Sequence, residues 1–429
     1  MPGNRWDLLD GQWPAAPPEV SVVVVHYDQP RQLARTLAAL ARQTHPAQRL
    51  EVLVVDDGSP TPPRVPDGVT LLLQPDRGFR AAAARNAGAA RARGEVLCFL
   101  DADTAPEPDY IRQLTRLPAL APEAVAVGRR EHADLTGVDP ATPVESAGPA
   151  LRLPAPAWLA RGYAESGDLL AADDRSYRFV ISAVLACDRG FFAATGGFDD
   201  AFGAYGGEDW EWAHRAWLAG ALLAHVPRAV AWHDGPDWSG READDRARRA
   251  QKNAEAIRLA AQIPVAGSRG RALRAERPDV LARLATAGSV GAAYLCVDGL
   301  LAALPEATVV VPDAVAGAFA GDPRVVAEGA ATAVDRRATR LGLELPRPVR
   351  IVGGGLRAAT DRVGSEALGT LELVGADGVL MACLRSARAE ARAERWGTAE
   401  HFPIARALAA GLTLVGQEPD LEAWLGGWG

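Results

Sequence analysis

The first 265 residues predict an open α/β sheet, and three features of the sequence support this fold class. Apolar runs rich in valine recur as short strands, beginning at residues 20–25. Stretches with leucine or alanine at helical spacing separate these strands, as at residues 31–43 and 81–93. Acidic residues follow directly after several strands. The alternation indicates right-handed crossovers, and ligands of such sheets lie at the carboxyl ends of the strands.

Each predicted element has its own sequence signal. The run at residues 20–25 is dominated by valine, which fits a parallel strand covered on both faces. Leu33, Leu37 and Leu40 then mark one face of a helix. Prolines recur between residues 104 and 180, so we expect this region to be partly irregular and substrate-facing rather than more sheet. Further strands are predicted at residues 51–55, 69–73, 96–100, 179–186 and 226–232, and further helices at 208–219 and 241–262.

Length and composition predict more than one domain. The chain has 429 residues, of which 48% are apolar and 23% charged, so it can bury two or three cores. We expect a lead-in at residues 1–18, a larger domain at 19–265 and a smaller α/β domain at 270–429, because the segment after Pro264 has linker composition. No internal repeat is evident. The smaller domain has predicted strands at residues 308–311, 349–352 and 412–415 and predicted helices at 276–287, 385–395 and 402–410.

Charge and cysteine content exclude several classes of protein. The net charge of −8 argues against nonspecific nucleic-acid binding. The four cysteines show no CxxC spacing and are expected to be buried, reduced thiols. No apolar run reaches the roughly 18–20 residues that span a bilayer, and the first residues do not resemble a signal peptide. We therefore expect a soluble, cytoplasmic protein without a membrane span.

Two groups of acids carry the chemical signal. Asp101 and Asp103 follow the strand at residues 96–100, where a pair of carboxylates can hold a hard divalent cation. Glu208 and Asp209 follow a glycine pair and open a helix, where an acid can serve as a general base. Acids also favour a helix N-terminus through its dipole, and that role is compatible with catalysis. A metal site and a separate base are together what group transfer from an anionic phosphate donor requires.

Five ordered motifs resemble one enzyme family. They cover roughly residues 19–240 and are VSVVVVHYD (20–28), VLVVDDGS (52–59), RGFRAAAARNAG (77–88), VLCFLDAD (96–103) and GGFDDAFGAYGGEDWEWAHRAWLAG (196–220). Together they resemble family 2-type glycosyltransferases, which implies the GT-A fold, a Rossmann-like nucleotide-sugar-binding domain. The last motif is similar to the acceptor-side segment of inverting β-1,4-galactosyltransferases and bacterial chondroitin-type polymerases.

The resemblance implies roles for donor-binding residues. Asp57 matches the position that binds uracil, and Tyr27 can stack on the same base; the alternative for Asp57 is a turn-forming aspartate. Arg80 and Arg85 lie at a glycine turn that leads into a helix, a place suited to the donor diphosphate. Which of the two arginines contacts the diphosphate stays open, as does a simple surface role. Asp101 is expected to approach the ribose or a metal-bound water.

The resemblance also implies a metal shell and an acceptor side. Asp103 is expected to bind Mn²⁺ or Mg²⁺, and His233 to complete the shell, since imidazole beside carboxylates suits Mn²⁺. The alternative for His233 is a structural pairing with Asp234 or Asp237. Asp209 is the expected general base, and Glu208 is expected to hold hydroxyl groups. Trp210 and Tyr205 are expected at the acceptor site, whereas the other tryptophans near this motif are expected in the core.

These features predict a metal-dependent, inverting glycosyltransferase that uses a nucleotide-diphospho-sugar, most simply a UDP-sugar. The acceptor is left open between a glycan, a natural product and a peptide. Two alternatives within enzymes are a retaining transferase and a sugar nucleotidyltransferase, and a third is a non-catalytic sugar-binding scaffold. The second domain is left open between acceptor binding, homodimer formation and an eroded transferase domain.

Overall fold

The computed structural model describes residues 1–203, 206–236, 245–270, 272–333 and 338–426. The chain forms two compact units. Unit 1 comprises residues 1, 3–217 and 221–259, and unit 2 comprises residues 2, 218–220 and 260–429. Within the described ranges, no helix is both long enough and apolar enough to cross a membrane.

The described part of residues 1–262 contains nine strands and eight α-helices. The strands are β1 (Val20–His26), β2 (Leu50–Asp56), β3 (Thr70–Leu73), β4 (Val96–Asp101), β5 (Thr104–Pro106), β6 (Ala124–Ala133), β7 (Arg152–Leu153), β8 (Val184–Asp188) and β9 (Leu222–Asp234). The helices are α1 (Pro30–Leu40), α2 (Ala81–Arg91), α3 (Tyr110–Leu120), α4 (Val144–Ala150), α5 (Ala157–Ser166), α6 (Arg189–Ala194), α7 (Glu208–Leu218) and α8 (Asp245–Gln262).

The strands of unit 1 form one mixed sheet with the order β3-β2-β1-β4-β8-β6-β9-β5, and β7 pairs with β6. Strands β3, β2, β1 and β4 are parallel, as predicted. The central residues of β1 and β4 and the second half of β2 are buried on both faces, whereas β3 at the edge of the sheet is only partly buried. The register pairs His26 with Asp56 on one side of β1 and Val25 with Asp101 on the other. The acids that end β2 and β4 therefore lie at one edge of the sheet, as expected.

The region between residues 104 and 180 is more regular than the sequence predicts. Strand β6 runs for 10 residues in the interior of the sheet, antiparallel to β8 and parallel to β9. The prolines flank this strand and do not interrupt it, which is why their density misled the prediction. Strand β9 is also longer than predicted, since it continues through Pro227. The proline is tolerated because it lies at a register shift, where Gly128 pairs with Val226 and Arg129 with Val230.

Unit 2 contains nine further strands and five further helices among its described residues. The strands are β10 (Val280–Leu284), β11 (Ala307–Val311), β12 (Val325–Ala327), β13 (Leu341–Leu345), β14 (Val349–Ile351), β15 (Thr370–Val374), β16 (Leu380–Ser386), β17 (Ile404–Leu408) and β18 (Leu412–Leu414). The helices are α9 (Val290–Ala303), α10 (Asp313–Ala316), α11 (Gly355–Ser365), α12 (Ala387–Trp396) and α13 (Leu421–Gly426).

Two helix predictions in unit 2 are wrong. The stretch at residues 276–287 contains β10, which pairs with β11 and β13, and the stretch at 402–410 contains β17, which pairs with β15. Both stretches are rich in leucine, alanine and arginine, whose helix propensity is high. Pairing with neighbouring strands outweighs that local preference. The strands predicted at residues 308–311, 349–352 and 412–415 and the helix predicted at 385–395 are confirmed within a few residues.

The two sheets share a topology that the sequence does not reveal. The main sheet of unit 2 has the order β12-β11-β10-β13-β16-β15-β17, in which the first four strands are parallel. Strand β13 is antiparallel to β16, β16 is antiparallel to β15, and β15 is parallel to β17. The same order and directions occur in unit 1 from β3 to β9. Unit 2 therefore repeats the sheet of unit 1 strand by strand.

Candidate active site at the carboxyl edge of unit 1

Asp103 and His233 meet at the carboxyl edge of the sheet. The Nε2 atom of His233 lies 3.4 Å from Oδ2 of Asp103, and both side chains are largely buried. Gln29 donates to the same carboxylate oxygen at 3.3 Å. Burial works to raise the pKa of Asp103, but the contact with His233 outweighs it and holds that pKa at about 2. Asp103 is therefore a carboxylate at any working pH.

The hydrogen bonds of His233 suit a metal ligand. Its Nδ1 lies 3.1 Å from the carbonyl oxygen of Gly235, so Nδ1–H donates there in the neutral ring. The proton that joins Nε2 to the carboxylate of Asp103 is what holds the pKa of that carboxyl down, and a cation that replaces this proton would be bound by both groups. Histidines that bind metals commonly donate their other ring N–H to a carbonyl. The pair fits Mn²⁺ or Mg²⁺, with substrate and water completing the shell, since the described residues contain no cluster of three protein ligands.

A second histidine, His132, was missed by the sequence reasoning. Its ring centroid lies 4.9 Å from that of His233, and its Nδ1 lies 3.2 Å from the same carbonyl oxygen of Gly235. The strand register explains the cluster, because His132 on β6 and Thr104 on β5 both pair with His233 on β9. The region of β6 was expected to be irregular, so its residues could not be assigned to a face of the sheet.

The carboxylate of Asp234 accepts hydrogen bonds from residues other than His233. Its carboxylate accepts from Nη1 of the buried Arg35 at 2.9 Å and from the backbone N–H of Leu135 at 3.0 Å. Its own backbone N–H donates to the carbonyl of Asp103 at 2.8 Å, which fixes the two chain segments that carry Asp103 and His233. Asp237, the other structural partner considered, lies outside the described residues.

Arg85 joins the two groups of acids. Its guanidinium donates to Oδ1 of Asp101 at 2.7 Å and to Oε1 of Glu208 at 2.8 Å. Arg85 is 3% exposed, and its pair with Glu208 is buried, whereas Asp101 is 34% exposed. Burial opposes the charged form, but the carboxylates of Asp101 and Glu208 outweigh it and raise the pKa of Arg85. Arg85 therefore links the end of β4 to the start of α7. Arg80, on the turn before α2, is only partly buried.

Glycines set the start of α7 and hence the position of its acids. Gly206 and Gly207 have φ angles of +96° and +95°, which disfavour any other residue. A Cβ on Gly207 would also lie 2.9 Å from the ring of Phe202. The chain can therefore turn sharply and begin the helix with Glu208 and Asp209.

Asp209 is partly buried and lies beside another acid. Its carboxylate accepts from the backbone N–H of Trp210 at 2.9 Å and from that of Ser182 at 3.3 Å. Burial and the neighbouring charge of Glu208 raise its pKa to about 7, although Arg85 acts in the opposite direction. A carboxylate with a pKa near neutrality is suited to accept a proton from a hydroxyl group.

Glu208 is the more deeply buried of the two acids, at 5% exposure. Its Oε1 binds Arg85, whereas Oε2 is buried and no donor among the described residues reaches it. A buried carboxylate oxygen without a donor is costly. This atom can accept a hydrogen bond from a ligand hydroxyl.

Asp57 and Tyr27 lie at the ends of their strands as predicted. Asp57 accepts from the backbone N–H of Arg80 at 2.8 Å and from the side-chain amide of Gln74. These bonds tie the end of β2 to the segment that leads into α2. Tyr27 is 48% exposed, so its ring is accessible to a ligand at this edge.

Four aromatic side chains, Trp158, Tyr177, Phe179 and Trp210, form what we call the aromatic group. Trp158 contacts Phe179 with centroids 6.2 Å apart and Trp210 with centroids 6.3 Å apart. Trp158 was not predicted, because it lies in the stretch expected to be irregular. The predicted acceptor residue Tyr205 lies outside the described residues. Trp212 and Trp217 are 0% and 4% exposed and belong to the core, as expected.

Two families match this chain over consecutive segments. Residues 21–145 match the family described as glycosyl transferase family 2, and residues 172–231 match the family described as N-terminal domain of galactosyltransferase. The first segment contains Asp57, Arg85, Asp101 and Asp103. The second contains Glu208 and Asp209 and ends two residues before His233.

Individual relatives are similar over about half of the chain. The hyaluronan synthase of Pasteurella multocida is 27% identical over 53% of this chain and 26% of its own length. The validoxylamine A glucosyltransferase of Streptomyces hygroscopicus subsp. jinggangensis is 30% identical over 50% of this chain and 54% of its own length. A solved mannosyltransferase from Pyrobaculum calidifontis is 22% identical over 59% of this chain and 69% of that chain, with a TM-score of 0.38.

The chain thus spans about a quarter of the synthase and about half of the glucosyltransferase. The family matches fall on the strands and helices that carry the two groups of acids. Residues 21–145 of unit 1 therefore resemble glycosyl transferase family 2, and residues 172–231 resemble the N-terminal domain of galactosyltransferase.

Proposed function

We propose that this chain is a metal-dependent, inverting glycosyltransferase that moves a sugar from a nucleotide-diphospho-sugar to an acceptor hydroxyl. The donor that we propose is a UDP-sugar. One observation carries the proposal. Buried Arg85 holds Asp101, at the end of β4, and Glu208, at the start of α7, in one site. The edge proposed to bind the metal and the helix proposed to carry the base come from segments more than a hundred residues apart in the chain, and the contacts of Arg85 link these segments.

The donor half of the site is assigned to the ends of β1, β2 and β4. Tyr27 and Asp57 would contact the base, and Asp101 the ribose. Arg80, on the turn before α2, would contact the diphosphate, since Arg85 already pairs with two carboxylates. Asp103 and His233 would hold Mn²⁺ or Mg²⁺, and the metal when bound would neutralise charge on the departing nucleoside diphosphate.

The acceptor half of the site is assigned to the start of α7. Asp209 would take the proton of the acceptor hydroxyl while the hydroxyl oxygen bonds to the anomeric carbon and the bond from that carbon to the phosphate oxygen breaks. The raised pKa of Asp209 supports this role, because a base should titrate near the working pH. Glu208 would hold a hydroxyl through Oε2. An acid at position 209 that is separate from the metal ligands supports inversion over retention.

Unit 2 is assigned to acceptor binding or to dimer formation. It repeats the sheet of unit 1, but β13 ends at Leu345 and is followed by Pro346, where β4 ends with Asp101. Two relatives are named as a hyaluronan synthase and as a validoxylamine A glucosyltransferase. These names support a saccharide or a natural product as the acceptor.

The reaction is tested with the full chain and a panel of UDP- and GDP-sugars. We expect release of nucleoside diphosphate in the presence of Mn²⁺, its loss on addition of EDTA, and its recovery when excess Mn²⁺ is restored. NMR of the product should show inversion at the anomeric carbon. Turnover that is insensitive to EDTA would exclude metal dependence, a retained configuration would exclude the inverting mechanism, and no release from any donor would favour the scaffold alternative.

A further inference from the structure

We propose that Trp158 is the exposed face of an acceptor subsite that stacks against a pyranose ring, so that the acceptor is a saccharide. This inference rests on the proposed function and narrows its acceptor class. It also names a specificity residue outside the motifs that predicted the site. The subsite consists of Trp158, Phe179 and Trp210 of the aromatic group, together with Glu208 and Asp209. Tyr177, the fourth member, is buried and packs against Trp210.

The exposure of Trp158 is the first argument. Its side chain is 49% exposed although it packs against other rings of the aromatic group. It contacts Trp210 edge-on, with an interplanar angle of 75°, and lies nearly parallel to Phe179, at 28°. Large apolar side chains that stay exposed in a cluster commonly mark a binding surface.

The ring is held on a rigid support, which is the second argument. A Cβ on Gly162 would lie 2.1 Å from the ring of Phe179, so the missing side chain lets Phe179 pack directly onto α5. The hydroxyl of Tyr163, on the same helix, donates to the carbonyl of Phe179 at 2.7 Å. Trp158 precedes both residues on α5. A platform fixed in this way loses little entropy when a ligand binds.

The aromatic group adjoins the candidate base, which is the third argument. The backbone N–H of Trp210 donates to Oδ1 of Asp209, and Ser182, three residues after Phe179, donates to Oδ2. Glu208 directly precedes Asp209 in the chain, and its Oε2 has no donor among the described residues. The site thus combines an apolar face with one buried carboxylate oxygen, Oε2 of Glu208, that can accept from a ligand hydroxyl.

A saccharide matches this combination better than the other acceptor classes. A pyranose ring has an apolar C–H face that can cover an indole and hydroxyl groups that can donate to Glu208 and Asp209. A peptide side chain with a hydroxyl group lacks the broad face, and an apolar natural product lacks the donors. We therefore assign both features to one ring of a saccharide.

The test measures saccharide binding without the donor reaction. The full chain with UDP and Mn²⁺ is titrated calorimetrically with methyl glycosides and with short oligosaccharides that end in glucose, galactose, N-acetylglucosamine or glucuronic acid. Trp158→Ala should weaken the best binder by about tenfold or more, and Trp158→Phe should retain part of the affinity. UDP affinity measured separately confirms that each variant is folded.

Trp13→Ala is the matched control, because Trp13 is 43% exposed and contacts Arg112 and Arg116 instead of the aromatic group. It should leave saccharide affinity unchanged. Equal affinity of wild type and Trp158→Ala would overturn the proposal, as would acceptance of only hydroxyl-bearing peptides or apolar compounds. Failure of the proposed function has a separate signature, namely no nucleoside diphosphate release from any donor by the wild type.

Discussion

Nη1 of Arg85 lies 2.8 Å from Oε1 of Glu208, although the two residues are 123 positions apart in the chain. Arg85 belongs to the match with glycosyl transferase family 2, and Glu208 belongs to the galactosyltransferase-type segment. The ion pair therefore joins the carboxyl edge of the sheet, which we propose binds the donor, to α7, which we propose faces the acceptor. Because both side chains are buried, removing Arg85 leaves the charge of Glu208 without its partner.

The two candidate arginines should respond differently to removal. Arg85→Met should lower the free energy of unfolding by about 3–5 kcal/mol, because the buried carboxylate of Glu208 loses its cation, whereas Asp101 is 34% exposed and contributes less. Arg80→Met should change it by less than about 0.5 kcal/mol and should instead weaken UDP binding, since its side chain is only partly buried. Urea unfolding and UDP calorimetry measure the two effects. If Arg80→Met lowered the free energy of unfolding and Arg85→Met left it unchanged, Arg80 would be the structural arginine and Arg85 the candidate for UDP binding.

Asp209→Asn should lower the rate of transfer by about 10²–10⁴, the usual contribution of a positioned general base. Affinity for UDP with Mn²⁺ should stay close to that of the wild type, because the base acts on the acceptor. Asp199→Asn, in the loop before α7, serves as the control and should keep full activity. Turnover of Asp209→Asn near the wild-type rate would remove Asp209 from the mechanism.

The pH profile should report the environment of Asp209. Burial and the charge of Glu208 raise its pKa to about 7, and Arg85 partly offsets this. The base acts in its deprotonated form, so kcat/KM should fall as the pH drops below about 7 and level off above it. Glu208→Gln removes the neighbouring negative charge and should move this limb to lower pH. If kcat/KM of the wild type fell only near the ordinary pKa of aspartate, at about 4, Asp209 would not be the base that the profile reports.

His233→Ala should reduce the preference of the enzyme for Mn²⁺ over Mg²⁺. An imidazole ligand favours Mn²⁺, whereas Mg²⁺ prefers a shell of oxygen atoms. His225→Ala is the control, because His225 is also buried on β9 but lies 2.7 Å from Asp168 rather than near Asp103. The ratio of activities in the two metals is the measurement. An unchanged ratio in His233→Ala would return His233 to a structural role.

Calorimetry of the full chain should give one UDP per chain in the presence of Mn²⁺. Unit 2 repeats the sheet of unit 1 but has Leu345 and Pro346 where unit 1 has an acidic strand end, so this strand end has no counterpart of the aspartate that we propose binds the metal. Asp103→Ala should therefore abolish metal-dependent UDP binding altogether. Two sites per chain, or a second site that persists in Asp103→Ala, would show that unit 2 also binds nucleotide.

Local sequence determined the parallel half of unit 1. Strands β1, β2 and β4 could be predicted because a strand buried on both faces needs a continuous apolar run, and such a run is visible in the sequence. The acids that follow these runs could be placed at one edge for the same reason, since parallel strands end together. The family resemblance is confirmed by the two family matches.

Tertiary structure alone decided the features that depend on which distant segments pair. Strands β10 and β17 have helix-forming residues, and only pairing with their neighbours makes them strands. The cluster of His132 with His233, and the bridge from Arg85 to Glu208, arise from strand register and helix placement, which local patterns do not encode. The repeated sheet topology of the two units is likewise invisible in the sequence. Apolar patterning specifies what is buried, but the choice of partners depends on the packing of the whole unit.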